Sequence, residues 1–75
     1  MFTIYSENNC PYCSWAKDLL TTEGFEYQEF NVQENSTFLE QLTNKLGFKP
    51  KTVPQIWEDD TYVGGYTELV KYLGD

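Results

Sequence analysis

The two cysteines of this chain, Cys10 and Cys13, enclose a Pro-Tyr pair just after a short apolar segment. That segment, "FTIY" at residues 2–5, has the composition of a β-strand. Pro11 suits the first position of a helix, and apolar residues then recur at helical spacing: Trp15, Ala16, Leu19 and Leu20. The pattern predicts a strand and a turn, followed by a helix from about Pro11 to Thr22 with Cys10 as its N-cap.

The middle of the chain predicts a second strand and a second helix. Residues 25–32, "FEYQEFNV", predict the strand, which runs parallel to the first because the helix between them forms a right-handed crossover. Thr37 and Glu40 have the spacing of a capping box. That spacing, with the apolar stripe behind it, predicts a helix from there to Gly47.

The last third of the chain predicts a hairpin and a short helix. Residues 53–57 and 61–63 form the two strands around an acidic turn at 58–60. The helix ends at Gly74 and has four apolar residues: Leu69, Val70, Tyr72 and Leu73. The sequence thus predicts one α/β domain, residues 1–75, with a four-stranded mixed sheet flanked by three helices in the order βαβαββα.

Length and composition limit what this domain can do. With 75 residues it buries one modest core, and 17% aromatic residues predict that Phe, Tyr and Trp dominate that core. The formal net charge is −7, from 12 acidic residues and 5 lysines, so neither nucleic acid nor a membrane is expected as a partner. The first residues lack the basic flank of a secretory signal, which favours a reducing, cytoplasmic setting.

The cysteine pair could be a structural staple, part of a metal site or a redox pair. As a staple it closes a very short loop, worth roughly 2 kcal/mol in the chain-entropy model. Structural zinc takes four Cys or His ligands, and the chain has no third cysteine and no histidine. Only a second copy or an external thiol could complete such a site, so no metal ligand is assigned.

The redox interpretation needs no further residues. Side chains three apart on a helix lie about 5–6 Å apart at Cβ, so a disulfide can form and open with little backbone movement. At the N-cap, the Cys10 sulfur faces unpaired N–H groups and the positive end of the helix dipole. Thiols of C-x-x-C motifs in such positions titrate at about 3.5–7.5 instead of about 8.5. Cys10 is therefore predicted to be the nucleophile and Cys13 the resolving thiol.

Three motifs occur in order along the chain: "CPYC" after the first strand, "TVPQIW" at residues 52–57 and "GGYTEL" at residues 64–69. Together they resemble the glutaredoxins, especially the small bacterial dithiol class, over nearly the whole chain. The resemblance implies a thioredoxin-like fold and a glutathione-dependent thiol-disulfide oxidoreductase. Cys10 would attack protein disulfides or glutathione mixed disulfides, Cys13 would close the active-site disulfide, and glutathione would reduce that disulfide. Ribonucleotide reductase is one protein substrate that the resemblance suggests.

The resemblance also implies where glutathione binds. Thr52, Val53 and Pro54 match a loop with a cis proline, whose geometry lets the Val53 backbone pair with the cysteinyl unit of glutathione. Tyr12 matches an exposed aromatic residue beside glutathione. The two tryptophans are expected to serve packing instead: Trp15 and Trp57.

The γ-glutamyl end of glutathione would bind the segment that includes Gly65, Tyr66, Thr67 and Glu68. Glycine permits close approach of the backbone, and a helix that begins at Thr67 and Glu68 offers N–H groups to a carboxylate. The Glu68 carboxylate can meet the ammonium group.

One residue departs from the glutaredoxin pattern. Three residues before the first cysteine, glutaredoxins usually carry Lys or Arg, which attracts the glycine carboxylate of glutathione, whereas this chain has Glu7. Lys51 and Lys49, just before the Thr-Val-Pro loop, could supply a positive charge from the opposite side. An exposed charge contact is worth about 0–1 kcal/mol, so Glu7 is expected to tune affinity and not to abolish function.

Three other functions are considered beside the monomeric glutathione-dependent enzyme. One is a redoxin reduced by thioredoxin reductase, against which the glutathione-binding segments argue. Another is a dimeric carrier of a [2Fe-2S] cluster, with one Cys10 from each chain and two glutathiones. That role is more typical of a single cysteine followed by Gly-Phe-Ser. The last is a binding module with an inert disulfide, for which the pKa of Cys10 would be near the ordinary value of about 8.5.

Overall fold

The computed structural model describes residues 1–74, and its elements follow the predicted order βαβαββα. The strands are β1 (Phe2–Ser6), β2 (Tyr27–Asn31), β3 (Gln55–Glu58) and β4 (Thr61–Gly64). The helices are α1 (Pro11–Thr22), α2 (Ser36–Leu46) and α3 (Tyr66–Tyr72). Asp75, which the predicted domain includes, lies outside the described residues.

The strands form one mixed sheet in the order β2-β1-β3-β4. Strand β1 pairs in parallel with β2, so that Ile4 lies opposite Glu29, and it pairs antiparallel with β3, where Ile4 lies opposite Ile56. Strands β3 and β4 form the predicted hairpin, with an irregularity between Ile56 and Trp57. All five residues of β1 are buried because this central strand is covered on both faces.

Side chains of β1 alternate between two apolar clusters, one on each face of the sheet. The cluster beneath α1 and α3 has six buried members: Phe2, Ile4, Ala16, Leu20, Ile56 and Leu69. The cluster beneath α2 has four: Tyr5, Val32, Leu42 and Trp57. Helices α1 and α3 therefore share one face of the sheet, and α2 covers the other.

The prediction of an aromatic-dominated core is wrong. Aliphatic side chains form most of the cluster beneath α1 and α3 and half of the cluster beneath α2, and the buried aromatic residues are Phe2, Tyr5 and Trp57. Six aromatic side chains are exposed: Tyr12, Trp15, Phe25, Phe48, Tyr62 and Tyr72. A domain of this size has too little interior to enclose so many large rings.

The limits of α1 agree with the prediction, but those of α2 do not. The N-cap of α2 is Asn35, whose Oδ1 accepts a hydrogen bond from the N–H of Thr37 at 2.9 Å. The predicted capping box of Thr37 and Glu40 is therefore wrong, since asparagine two residues earlier is at least as good a cap. Gly47 ends the helix as predicted, with φ at +83°.

Strand β3 begins two residues later than predicted, because the Val53-Pro54 pair lies in the loop that leads to it. Strand β2 is shorter at both ends than the predicted 25–32. Within residues 1–74, none of the helices combines the length and apolar character needed to cross a membrane.

Candidate active site

The cysteine pair lies at the start of α1, as predicted. Cys10 is the N-cap, with extended backbone angles of φ −114° and ψ 99°, and Pro11 occupies the first helical position. Cys10 and Cys13 form a disulfide with their Cα atoms 5.2 Å apart. Sγ of Cys10 accepts a hydrogen bond from the N–H of Cys13 at 3.1 Å, so the first turn of the helix directs a donor at this sulfur.

The two cysteines differ in exposure. Cys13 is only 2% exposed and faces the body of the domain, whereas Cys10 is partly exposed. A thiol that attacks an external disulfide has to be reached from solvent, and a resolving thiol only has to reach its partner. The difference in burial therefore suits Cys10 to the first role and Cys13 to the second.

The loop before β3 faces the cysteines. The Val53-Pro54 peptide bond is cis, as the resemblance implied, and Sγ of Cys10 lies 3.8 Å from the carbonyl oxygen of Val53. The side chain of Gln55 holds the loop, because its Nε2 donates to the carbonyl oxygen of Thr52 at 2.9 Å. The hydroxyl of Tyr62 in turn donates to Oε1 of Gln55 at 2.6 Å. Sequence reasoning assigned no role to Gln55, although its place directly after the proline was the available signal.

The segment before α3 requires glycine at position 64. Gly64 has φ +121°, and a Cβ atom built there would lie 2.8 Å from Cγ of Glu68. A Cβ atom at Gly65 would lie 3.6 Å from the carbonyl oxygen of Pro54, an ordinary contact distance, so the two segments adjoin here but glycine is not required at this position. The N–H of Gly65 donates to Oε1 of Glu68 at 2.8 Å, which engages part of the carboxylate that sequence reasoning assigned to an ammonium group.

Helix α3 begins at Tyr66, one residue before the predicted start. Thr67 and Glu68 therefore occupy its first turn, where N–H groups have no partner within the helix.

These segments meet in one groove beside the cysteines. Its lining comprises Tyr12, Thr52, Val53, Pro54, Gly65, Tyr66, Thr67 and Glu68. Sequence reasoning assigned every one of these residues to glutathione, and Lys51 is the one assigned residue that lies outside the groove. Three segments that are far apart in the chain thus form a single cleft.

The exposed rings of Tyr12 and Trp15 form a cluster with the half-buried ring of Tyr66 at the edge of this groove. The ring centroid of Trp15 lies 5.0 Å from that of Tyr12 and 5.9 Å from that of Tyr66. Trp15 is 50% exposed, so the expectation that it serves packing is wrong, whereas Trp57 is only 5% exposed and is in the core as expected. The spacing of Tyr12 and Trp15 was a usable signal, because side chains three apart share a helix face and Tyr12 was expected to be exposed.

A small pocket beside the groove contains opposite charges. Glu7, Lys49 and Lys51 line it together with Thr52 and Val53, which also line the groove. All three charged side chains are on exposed residues. Lys51, which sequence reasoning offered as a compensating cation, thus lines the same small pocket as Glu7, next to the groove.

Both cysteines line a further cavity of about 570 Å³, called the second pocket below. Lys17 of α1 and Glu29 of β2 lie in its wall, with Nζ 3.1 Å from Oε2, and the hydroxyl of Ser6 donates to the same Oε2 at 2.6 Å. Partial burial acts to raise the pKa of Glu29, but the hydrogen bonds from Ser6 and Lys17 outweigh it and lower the pKa from its ordinary value of 4.5. Sequence reasoning missed this pair.

Comparisons with known proteins agree on one family. The Glutaredoxin family model matches residues 2–63. Glutaredoxin 1 of Escherichia coli is 37% identical over 75 residues, which cover 93% of this chain and 88% of that protein. The Glutaredoxin-like protein NrdH of Lactococcus lactis is 34% identical over 73 residues, which cover 95% of this chain and 97% of that protein. The solved structure of reduced E. coli glutaredoxin superimposes with a TM-score of 0.77 at 36% identity, covering 96% of this chain and 91% of that one.

Proposed function

Because the chain belongs to the glutaredoxin family of thiol-disulfide oxidoreductases, we propose that its reductant is glutathione and that it reduces protein disulfides and glutathione mixed disulfides. The observation that carries this proposal is the groove, in which three segments meet beside the partly exposed Cys10. Its lining offers backbone groups, aromatic faces and a first helical turn, which suits an extended peptide that ends in a carboxylate. We expect a monomer acting in the cytoplasm, with ribonucleotide reductase among the candidate substrates.

The reaction begins with the Cys10 thiolate. The thiolate attacks one sulfur of the substrate disulfide, forms a mixed disulfide and expels the other sulfur as a thiolate, which takes up a proton. Cys13 then loses its proton and attacks Sγ of Cys10, which releases the second substrate thiol and forms the disulfide seen here. Two glutathione molecules return the pair to dithiol and leave as glutathione disulfide.

Each part of glutathione has a candidate partner in this site. The backbone of Val53 is the partner of the cysteinyl unit, since its carbonyl oxygen lies 3.8 Å from Sγ of Cys10. The first turn of α3, at Thr67 and Glu68, is the partner of the γ-glutamyl carboxylate. Lys51, at the edge of the groove, is the partner of the glycine carboxylate.

Two coupled assays test the proposal. Turnover of a glutathionylated peptide is followed with glutathione and glutathione reductase, and again with thioredoxin reductase alone, each at the same protein concentration. We expect turnover in the first assay and at most a trace in the second. Cys10→Ser should abolish turnover, whereas Cys13→Ser should keep activity on the glutathione mixed disulfide, which needs only one thiol. Turnover with thioredoxin reductase alone would overturn the assignment of glutathione as reductant.

The thioredoxin-reductase-linked redoxin is the second candidate, and Glu7 is the observation that favours it. This carboxylate lines the pocket next to the groove, where it would repel the glycine carboxylate of a bound glutathione. Lys49 and Lys51 line the same pocket and give it a net positive charge, so the glutathione proposal is preferred. The same pair of assays distinguishes the two candidates.

A further inference from the structure

We propose that Lys17 and Glu29 are positioning residues that control ionisation of the resolving thiol, with Lys17 favouring the Cys13 thiolate and Glu29 opposing it. The proposal rests on the assignment of Cys10 as nucleophile and Cys13 as resolving thiol. It concerns the second pocket, which shares none of its lining residues with the groove proposed for glutathione.

The geometry brings the ion pair to Cys13. Lys17 lies four residues after Cys13 on α1, so the two side chains are neighbours on one helix face, about 5–6 Å apart at Cβ. Both residues line the second pocket, as does Glu29 from β2. The ammonium of Lys17 is held on the pocket side by Glu29, whose Oε2 is anchored by the buried hydroxyl of Ser6.

The burial of Cys13 makes this charge balance important. A thiol that is 2% exposed ionises less readily than one in water, yet only the thiolate can attack the mixed disulfide. While Cys10 is in the mixed disulfide it has no charge and cannot influence Cys13 as a thiolate would. The remaining charged groups that line the pocket are Glu7, Lys17 and Glu29, and Glu7 is on an exposed residue.

The charges of Lys17 and Glu29 nearly cancel, so removing either one leaves the other uncompensated. Removing Lys17 leaves an uncompensated carboxylate near Cys13, which disfavours the thiolate. Removing the charge of Glu29 leaves an uncompensated ammonium there, which favours it. The two substitutions should therefore shift the ionisation of Cys13 in opposite directions, whereas loss of a merely structural ion pair would affect both variants alike.

The resolving step contains the group that titrates. The Cys13 thiol gives its proton to solvent, and its thiolate attacks Sγ of Cys10. The Cys10–Cys13 bond forms while the bond from Cys10 to the substrate sulfur breaks. The substrate leaves as a thiolate, so the substrate is reduced by two electrons and the cysteine pair is oxidised by two.

A chromogenic aromatic disulfide separates this step from the first attack. Mixed with excess reduced protein in a stopped-flow instrument, it releases one coloured thiolate when Cys10 attacks and a second when Cys13 resolves. The rate of the second release, measured against pH, reports the ionisation of Cys13. The first release should persist in Cys13→Ser and vanish in Cys10→Ser, and any other result would refute the underlying assignment of the two cysteines, independently of Lys17 and Glu29.

Given that assignment, Lys17→Met should move the midpoint of the second phase to higher pH and Glu29→Gln should move it to lower pH. Both side chains are about a third exposed, at 29% and 32%, so each shift is expected to be about 0.5–1 unit, smaller than the roughly 1–3 units typical of a charge next to a buried group. A less basic thiolate is also a weaker nucleophile, so the rate below the midpoint should change by only about two- to threefold.

Four comparisons make the result decisive. Lys17→Arg should retain the wild-type midpoint because it retains the charge. Lys71→Met and Glu26→Gln, at exposed residues outside the pocket, should leave the midpoint unchanged although they alter the net charge equally. The midpoint of the first phase should shift less than that of the second in both test variants, because Lys17 is seven residues from Cys10 but only four from Cys13. Equal shifts in the same direction, or no shift in variants that are still fully folded at the assay temperature, would overturn the proposal.

Discussion

Glu7 places a negative charge near the cysteines, in the same pocket as two positively charged lysines. It lines one pocket with Lys49 and Lys51, and this pocket adjoins the proposed glutathione groove at Thr52 and Val53. The glycine carboxylate of a bound glutathione would therefore meet both signs of charge. Because all three charged residues are exposed, solvent and salt weaken each of these interactions.

Glu7→Lys is expected to strengthen glutathione-dependent turnover at low salt. Repulsion is replaced by attraction worth about 0–1 kcal/mol, which lowers the KM for glutathione by up to about fivefold. The gain should fade as salt is raised, since the Debye length falls to about 10 Å at 0.1 M. Steady-state kinetics over a series of ionic strengths measure it. Glu26→Lys, an equal change of charge outside this pocket, is the control, and an equal gain in that variant would contradict the placement of Glu7.

Single residues could be predicted from sequence where a motif fixed their place, and not where their role depends on distant neighbours. Cys10 was predicted as an N-cap because Pro11 marks the helix start, and the structure agrees. The exposure of Trp15 was missed, because helical spacing tells which residues share a face but not what covers that face. The pairing of Lys17 with Glu29 depends on the sheet bringing β2 beside β1, which no local pattern encodes.

Side chains at the N-terminus set where helices α1 and α2 begin. Helix α1 begins where Pro11 and Cys10 require, and the N–H of Cys13 in its first turn donates to Sγ of Cys10. Helix α2 begins one residue before Thr37, because Asn35 supplies the capping oxygen. Turn residues and periodicity predicted the order of the elements. The exact start of α2 could not be predicted in the same way, because several candidate capping residues are adjacent in "ENSTFLE" and have similar capping strength.

Asn35→Ala is expected to destabilise the protein by about 1 kcal/mol, because it removes the oxygen that accepts from the N–H of Thr37. Thr37→Ala should cost much less, since Thr37 is an exposed residue within the first turn. Urea unfolding of both variants measures the difference. A larger loss of stability in Thr37→Ala than in Asn35→Ala would contradict this assignment and support the capping box of Thr37 and Glu40 predicted from sequence.

In the folded domain, two different surfaces lie beside one disulfide: the groove and the second pocket. The groove gathers backbone groups and aromatic rings, and the second pocket gathers the charges of Lys17 and Glu29. The ion pair also links α1 to β2 and therefore contributes to the stability of the fold. The groove could be predicted from three motifs in order, whereas the second pocket exists only once the sheet and helices are assembled.

The contribution of Glu29 to stability should depend on pH in one direction. Its folded pKa is lower than 4.5, so the stabilisation is complete above pH 4.5 and is lost as pH falls through the folded pKa. Glu29→Gln should therefore be less stable than wild type at neutral pH, by at most about 1 kcal/mol, and this difference should vanish in acid. Thermal unfolding between neutral pH and strong acid measures it. A difference that persists unchanged in acid would contradict this account, and Glu26→Gln serves as the control.

The start of α1 is expected to make Cys10 a reactive thiolate, and titration of the reduced protein measures this property. Thiolate absorbance is followed against pH in wild type and in Cys13→Ser, where Cys10 is the one cysteine left. We expect the pKa of Cys10 to fall within about 3.5–7.5, because N–H groups of the first turn and the helix dipole stabilise its charge. A pKa above about 8, near the ordinary value of a thiol, would contradict the account and favour an inert disulfide in a binding module.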